Sequence, residues 1–70
     1  MEVYVELIVK KMNSEDSEQQ IIDAITELEG IHDIVVNIFH ERVKIEYDNE
    51  DISLKEICQV IIALGYEIVQ

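Results

Sequence analysis

The feature that most constrains this chain is a change of hydrophobic period at Met12-Asn13-Ser14-Glu15-Asp16-Ser17-Glu18. Before it, Val3, Val5, Leu7 and Val9 share one side of an alternating stretch, with Glu2, Tyr4, Glu6, Ile8 and Lys10 on the other, the period of a half-buried strand. After it, Ile21, Ile22, Ile25 and Leu28 recur at helical spacing, with Asp23, Thr26, Glu27 and Glu29 opposite. The chain must therefore pass from strand to helix through one short turn. Such a turn gathers free backbone N–H groups and the positive end of a helix dipole, so any chemistry is expected there. Ser17, with Gln20 three residues on, is placed to cap the helix, Ser14 would cap an earlier start, and Gly30 is a natural stop.

The period switches three more times. Ile34, Val36 and Ile38 alternate with Val35, Asn37 and Phe39; a polar turn follows at His40 and Glu41; then Val43, Ile45 and Tyr47 alternate with Arg42, Lys44 and Glu46. This predicts a hairpin, although its turn lacks the Asn-Gly signal of a tight connection. Ser53-Leu54-Lys55-Glu56 reads as a capping box opening a second helix, with Leu54, Ile57, Ile61 and Leu64 as its inward stripe and Gly65 as its end. Tyr66 to Val69 supplies a last short strand. The order β-α-β-β-α-β predicts an α+β, ferredoxin-like sandwich, two helices on one face of a four-stranded antiparallel sheet, as a single domain over residues 1–70.

Charge and composition narrow the function. Sixteen acidic against five basic side chains leave a formal charge of -11, which repels nucleic acid and anionic lipid surfaces alike. The longest stretch without a polar residue, Val60 to Leu64, is far shorter than the roughly 20 residues that span a bilayer. With no signal-like segment, the expectation is a soluble cytoplasmic protein without membrane insertion. The single cysteine, Cys58, has no internal disulfide partner and falls between Ile57 and Val60 in the second helix, the setting of a small packing residue. No nucleophile has an evident base and no glycine-rich phosphate loop is present, so the chain does not read as an enzyme.

The residues Met12-x-Ser14-x-x-Ser17, Ile21, Ile25, Leu28, Gly30-Ile31, Ile34-x-Val36, Val43-x-Ile45-x-Tyr47-Asp48, Ser53-Leu54 and Gly65-Tyr66 fall into one register. On these residues essentially the whole chain resembles the heavy-metal-associated domain, the family of small copper chaperones and of the N-terminal domains of metal-transporting P-type ATPases. The resemblance implies a metal loop of the form Met-x-Cys-x-x-Cys, with Met12 tucked into the core beneath it. Here Ser14 and Ser17 stand at both cysteine positions, and Lys11 stands where a glycine usually precedes the methionine. Thiolates hold Cu(I) because they are soft and anionic, whereas a serine hydroxyl is hard and neutral at pH 7. The resemblance thus implies a degenerate site at Met12, Ser14 and Ser17. The serines are open to three readings: remnants of a thiol pair, deliberate replacements, or simply residues suited to a helix start.

Weak contributions to that site are candidates from Glu15 and Asp16, which with Glu18 could attract a hard cation, and from His40, which with Tyr66 lies toward the Met12 end. Neighbouring carboxylates at a helix start diverge around the axis, however, and His32 lies at the opposite end with no partner in the sequence. On the sheet, Tyr4, Ile8, Val35, Phe39 and Val69 are expected to point outward, with Val60 and Ile62 flanking the second helix. That much exposed apolar surface predicts contact with a protein partner or a second copy. The expected function is a non-enzymatic scaffold for interaction or regulation, with weak or no soft-metal binding and no cofactor. The alternative is a metallochaperone or metal-transport domain, divergent or a Cys-to-Ser form of a working one, that carries Cu(I) or a similar ion.

Overall fold

The computed structural model describes residues 1–69 and contains the six elements in the predicted order. They are β1 (Glu2–Lys10), α1 (Glu15–Thr26), β2 (Ile31–Asn37), β3 (Arg42–Asp48), α2 (Leu54–Ala63) and β4 (Glu67–Val69). The strands form one antiparallel sheet in the order β2-β3-β1-β4, so the first and third strands occupy its centre.

The alternation in β1 and β3 is what creates the core. Their register sets Leu7 opposite Val43, Val5 opposite Ile45 and Val3 opposite Tyr47, which sends one apolar row toward the helices. Against it α1 places Ile21 and Ile25 and α2 places Ile57 and Ile61, all four fully buried together with Val9, Val43 and Ile45. Each fully buried isoleucine contributes on the order of 2 kcal/mol of transfer free energy. No helix among the described residues is long and apolar enough to cross a membrane.

Several local expectations shift. Helix α1 ends at Thr26, with Glu27 as its C-cap, and Gly30, with φ +82, instead lies in the turn just before β2. A side chain there would be doubly excluded, because a Cβ would lie 2.7 Å from the Cβ of Asp51. β2 therefore begins at Ile31 and ends at Asn37, before Phe39. The hairpin turn is built without glycine: the Asn37 side chain accepts from the backbone N–H of His40 at 3.0 Å, and Glu41 takes the left-handed conformation at φ +58.

In α2, Ser53 caps as expected, accepting from the backbone N–H of Glu56 at 3.2 Å, and the helix stops at Gly65 with φ +101. Leu54, expected in the inward stripe, is instead exposed. It is the first residue of the helix, where the axis has not yet come over the sheet, and the buried position near it is taken by Ile52. Val60, expected as an exposed flank, packs partly against the core, leaving Ile62 as the exposed one.

Candidate functional site

The turn between β1 and α1 is shaped by protein groups throughout. Lys11 leaves the strand in the left-handed conformation, φ +78, which accounts for the suitability of glycine at this position. Met12 then turns inward and is buried at 7 % exposure as part of the hydrophobic core. Ser14 is extended, φ -164 and ψ 172, and its carbonyl accepts from the backbone N–H of Ser17 at 3.0 Å, which starts the helix.

The two serines have different environments. Ser14 occupies the N-cap position, but its hydroxyl makes no capping hydrogen bond. Ser17, expected as a cap, lies inside the first turn because the helix begins at Glu15, and it is the one buried polar side chain of the described core. Its hydroxyl donates to Asn13 Oδ1 at 3.2 Å and accepts a longer 3.4 Å contact from the Asn13 backbone N–H. The helix-capping reading is thus corrected for both side chains: Ser14 caps only through its carbonyl, and Ser17 is committed to Asn13.

The remaining candidates do not converge on the loop. Glu15 and Asp16 are exposed on the first turn, where they complement the helix dipole. Among the described residues no three His, Cys, Asp or Glu side chains come together as a metal-holding group. His40 shares the loop's end of the sheet but lines a hollow on the outer face with Glu6, Val35, Asn37, Arg42 and Lys44, away from buried Met12. Tyr66 donates its hydroxyl to Gln20 Oε1 and so braces α1 from the last strand's approach. His32, without a partner in the sequence reading, lies 3.7 Å from Glu2 Oε1, reaching past the intervening β3. Cys58 is half-buried on α2, and burial pushes its thiol above the usual range, away from the thiolate form.

Phe39 is displaced most from its expected place. Because β2 stops at Asn37, its ring does not continue the outer row of Tyr4, Ile8 and Val35. It projects at 97 % exposure from the hairpin turn and walls an open cleft of about 470 Å³ beside the loop. Asn13, Ser14, Glu15, Glu18, Val36, Asn37 and Ile38 complete that cleft. A bulky apolar residue next to a polar turn was the only sign of it in the sequence.

On the outer face itself Tyr4, Val35 and Val69 are exposed, while Ile8 is half-covered between its cross-strand neighbours Arg42 and Val69. The Glu46 carboxylate beside Tyr4 holds its phenol above the ordinary range.

Comparison with known proteins agrees with this architecture. Residues 6–67 match the heavy-metal-associated domain. The chain is 29% identical over 62 residues to the copper chaperone CopZ of Enterococcus hirae, covering 89% of this chain and 90% of that protein. Among solved structures, a CopZ metallochaperone superposes with a TM-score of 0.93 at 21% identity, covering 96% of this chain and 100% of its own. A CsoZ metallochaperone does so at 0.94 and 24% identity, with both chains covered at 100%. Oxidized MerP from Ralstonia metallidurans CH34 gives 0.89 at 19% identity, again over 100% of each chain. These three likenesses establish the shared fold. With its pattern matched from the first strand through the last, the chain belongs to the heavy-metal-associated domain family.

Proposed function

We propose that this domain is a non-enzymatic cytoplasmic scaffold for protein contact or regulation, acting as one unit over residues 1–70, whose loop has little or no affinity for soft metal ions. The observation that carries the reading is the environment of the two hydroxyls. Ser17 is buried and engaged with Asn13, Ser14 is exposed without a neighbouring thiol, and Met12 is buried in the core. Neither hydroxyl ionises near neutral pH, so the loop offers no anionic soft donor. Cys58 sits on α2, outside the loop, with its thiolate disfavoured by burial. The outer sheet face, with Tyr4, Val35 and Val69 exposed, supports the contact role.

Competition against a chromogenic Cu(I) chelator tests this directly. The chain should leave the chelator's colour unchanged, and stoichiometric withdrawal of Cu(I) at submicromolar affinity would overturn the reading. The double variant S14C/S17C should withdraw the ion in the same assay, because the backbone already places the two positions three residues apart at the helix start.

A second reading is favoured by the likeness to proteins named as copper chaperones and metallochaperones. In it the domain, divergent or a Cys-to-Ser form, still carries Cu(I) or a similar ion through Met12, with Glu15, Asp16 and His40 assisting. That reading requires Met12 to leave the core and His40 to swing off the outer sheet face. Wild-type Cu(I) binding that is lost in Met12→Leu would establish it.

A further inference from the structure

The cleft beside the loop runs along a free sheet edge. Val36 and Ile38, from the end of β2 and the turn after it, line it together with the exposed Phe39 ring and with Glu15 and Glu18 of α1. β2 is an edge strand, bonded to β3 on one side only. The Ile34 N–H is taken by the Asp33 carboxylate at 2.9 Å, which marks it as turned away from β3. In an antiparallel ladder that orientation repeats at every second residue, so the N–H and C=O of Val36 also point out along the edge. No turn or loop backbone group among the described residues bonds to them. An unpaired strand edge of this kind accepts another extended chain.

The charge beside this edge has one sign. From Met12 to Glu41 the chain contains no lysine or arginine. Glu15 and Glu18 have no ion-pair partner among the described residues. The cations that flank this stretch are engaged elsewhere or lie off the cleft: Lys10 is paired with Glu41 at 2.9 Å, Arg42 donates to the His40 carbonyl at 2.8 Å, and neither Lys11 nor His40 lines the cleft. A long basic side chain entering here lays its aliphatic stem on Val36, Ile38 and the Phe39 ring and carries its cation to the two carboxylates. A second copy of this chain fails the same test, because its own β2 edge would bring Asp33, Glu15 and Glu18 against their counterparts. From the free edge and the uncompensated carboxylates together we infer that the cleft docks an extended, lysine- or arginine-bearing segment of another protein, added to the sheet beside Val36.

The inference rests on the contact role proposed above, gives it a second surface and names the chemistry of the partner. Its strength is limited by Asp33. That carboxylate occupies the edge at Ile34, so only the short run from Val36 to Phe39 is open to pairing. Glu15 is exposed and Glu18 half-buried, and physiological salt screens such charges over about 8 Å. The contact is therefore weak and salt-dependent.

Amide NMR spectra of the isotope-labelled chain, titrated at low salt with a capped octapeptide of alternating lysine and valine, test the docking. The peptide should shift the resonances of Glu15, Glu18, Val36, Ile38 and Phe39, and its glutamate-for-lysine counterpart should leave them in place. The double variant E15Q/E18Q should weaken the contact about tenfold, with resonances away from the cleft unchanged to show that the fold is kept. N-methylation of the peptide's central amides should abolish it, because an added strand binds through those groups. No shift at millimolar peptide, equal shifts with the glutamate peptide, or indifference either to N-methylation or to E15Q/E18Q overturns the inference. Shifts confined to Tyr4 and Val35 overturn it as well, while leaving the contact role of the outer face standing. The Cu(I) titration judges the loop's chemistry separately from all of these results.

Discussion

Ser17 and Asn13 are joined side chain to side chain across one turn, the Ser17 hydroxyl donating to Asn13 Oδ1 at 3.2 Å. This bond ties the residue after Met12 to the first turn of α1 and satisfies the hydroxyl of a residue that is only 6% exposed. Ser17→Ala should lower stability by about 1 kcal/mol, the usual net value of such a bond. In a domain of this size that is a fall of roughly 4–8 °C in melting temperature. Asn13→Ala should cost a similar amount, and the double variant should cost clearly less than the sum, since both remove one interaction. Additive losses in a thermal unfolding series would show that the two residues act independently.

Lys11 holds a left-handed backbone, φ +78, in an L-residue with a full side chain. Lys11→Gly should relieve that strain and raise stability by about 0.5–1 kcal/mol, after allowing for the greater freedom of glycine in the unfolded chain. Lys11→Ala retains the Cβ and should not stabilise. Urea midpoints for the three proteins make the comparison.

The two glycines should respond unequally to a methyl group. Gly30→Ala combines a positive φ with a Cβ placed 2.7 Å from the Asp51 side chain, so it should lose about 2 kcal/mol or more. Gly65→Ala meets open space and suffers only the backbone penalty, about 1 kcal/mol. Equal losses in chemical denaturation would mean that the Asp51 contact relaxes without cost.

Asp48 links pH to stability. The backbone N–H of Glu50 and the terminal ammonium of Met1 donate to its carboxylate and hold it below the usual carboxylate range. A folded-state pKa below the unfolded value, about 3.9, stabilises the fold above that pH. The contribution is lost as pH falls through the lowered folded value. Asp48→Asn should therefore be less stable than wild type at pH 6, with the gap closing toward pH 2. Denaturant midpoints along that acid branch supply the check, and a gap of constant size would exclude Asp48 as its source.

Most of the architecture is legible in the sequence because it is written in periodicity. Val3, Val5, Leu7 and Val9 can face a core only if β1 is a strand, and Ile21, Ile25, Ile57 and Ile61 only if their segments are helices. Terminal positions were less legible. Leu54 satisfies the helical period yet starts its helix too early to reach the sheet, and Phe39 satisfies the strand period yet follows the last paired residue. The site was legible as a register and not as an arrangement. The sequence puts Ser14 and Ser17 three apart, but which hydroxyl turns inward depends on where the helix begins, and that depends on the backbone at Ser14. The sequence places His40 toward the Met12 end of the sheet but not on either side of it; the structure has it lining the outer face, because one residue of turn geometry decides which face a side chain takes.

Met12 in the core has a consequence for how such a domain can change over time. In small metal-nucleated folds the ion supplies the folding free energy, so losing a ligand means losing the structure. Here Met12 is packed in the core and Asn13 is bonded to Ser17, so protein contacts hold both ends of the loop. Shape and cargo are then separate free energies. A side chain such as exposed Ser14 can therefore be exchanged, and the loop's chemistry altered, without unfolding the domain.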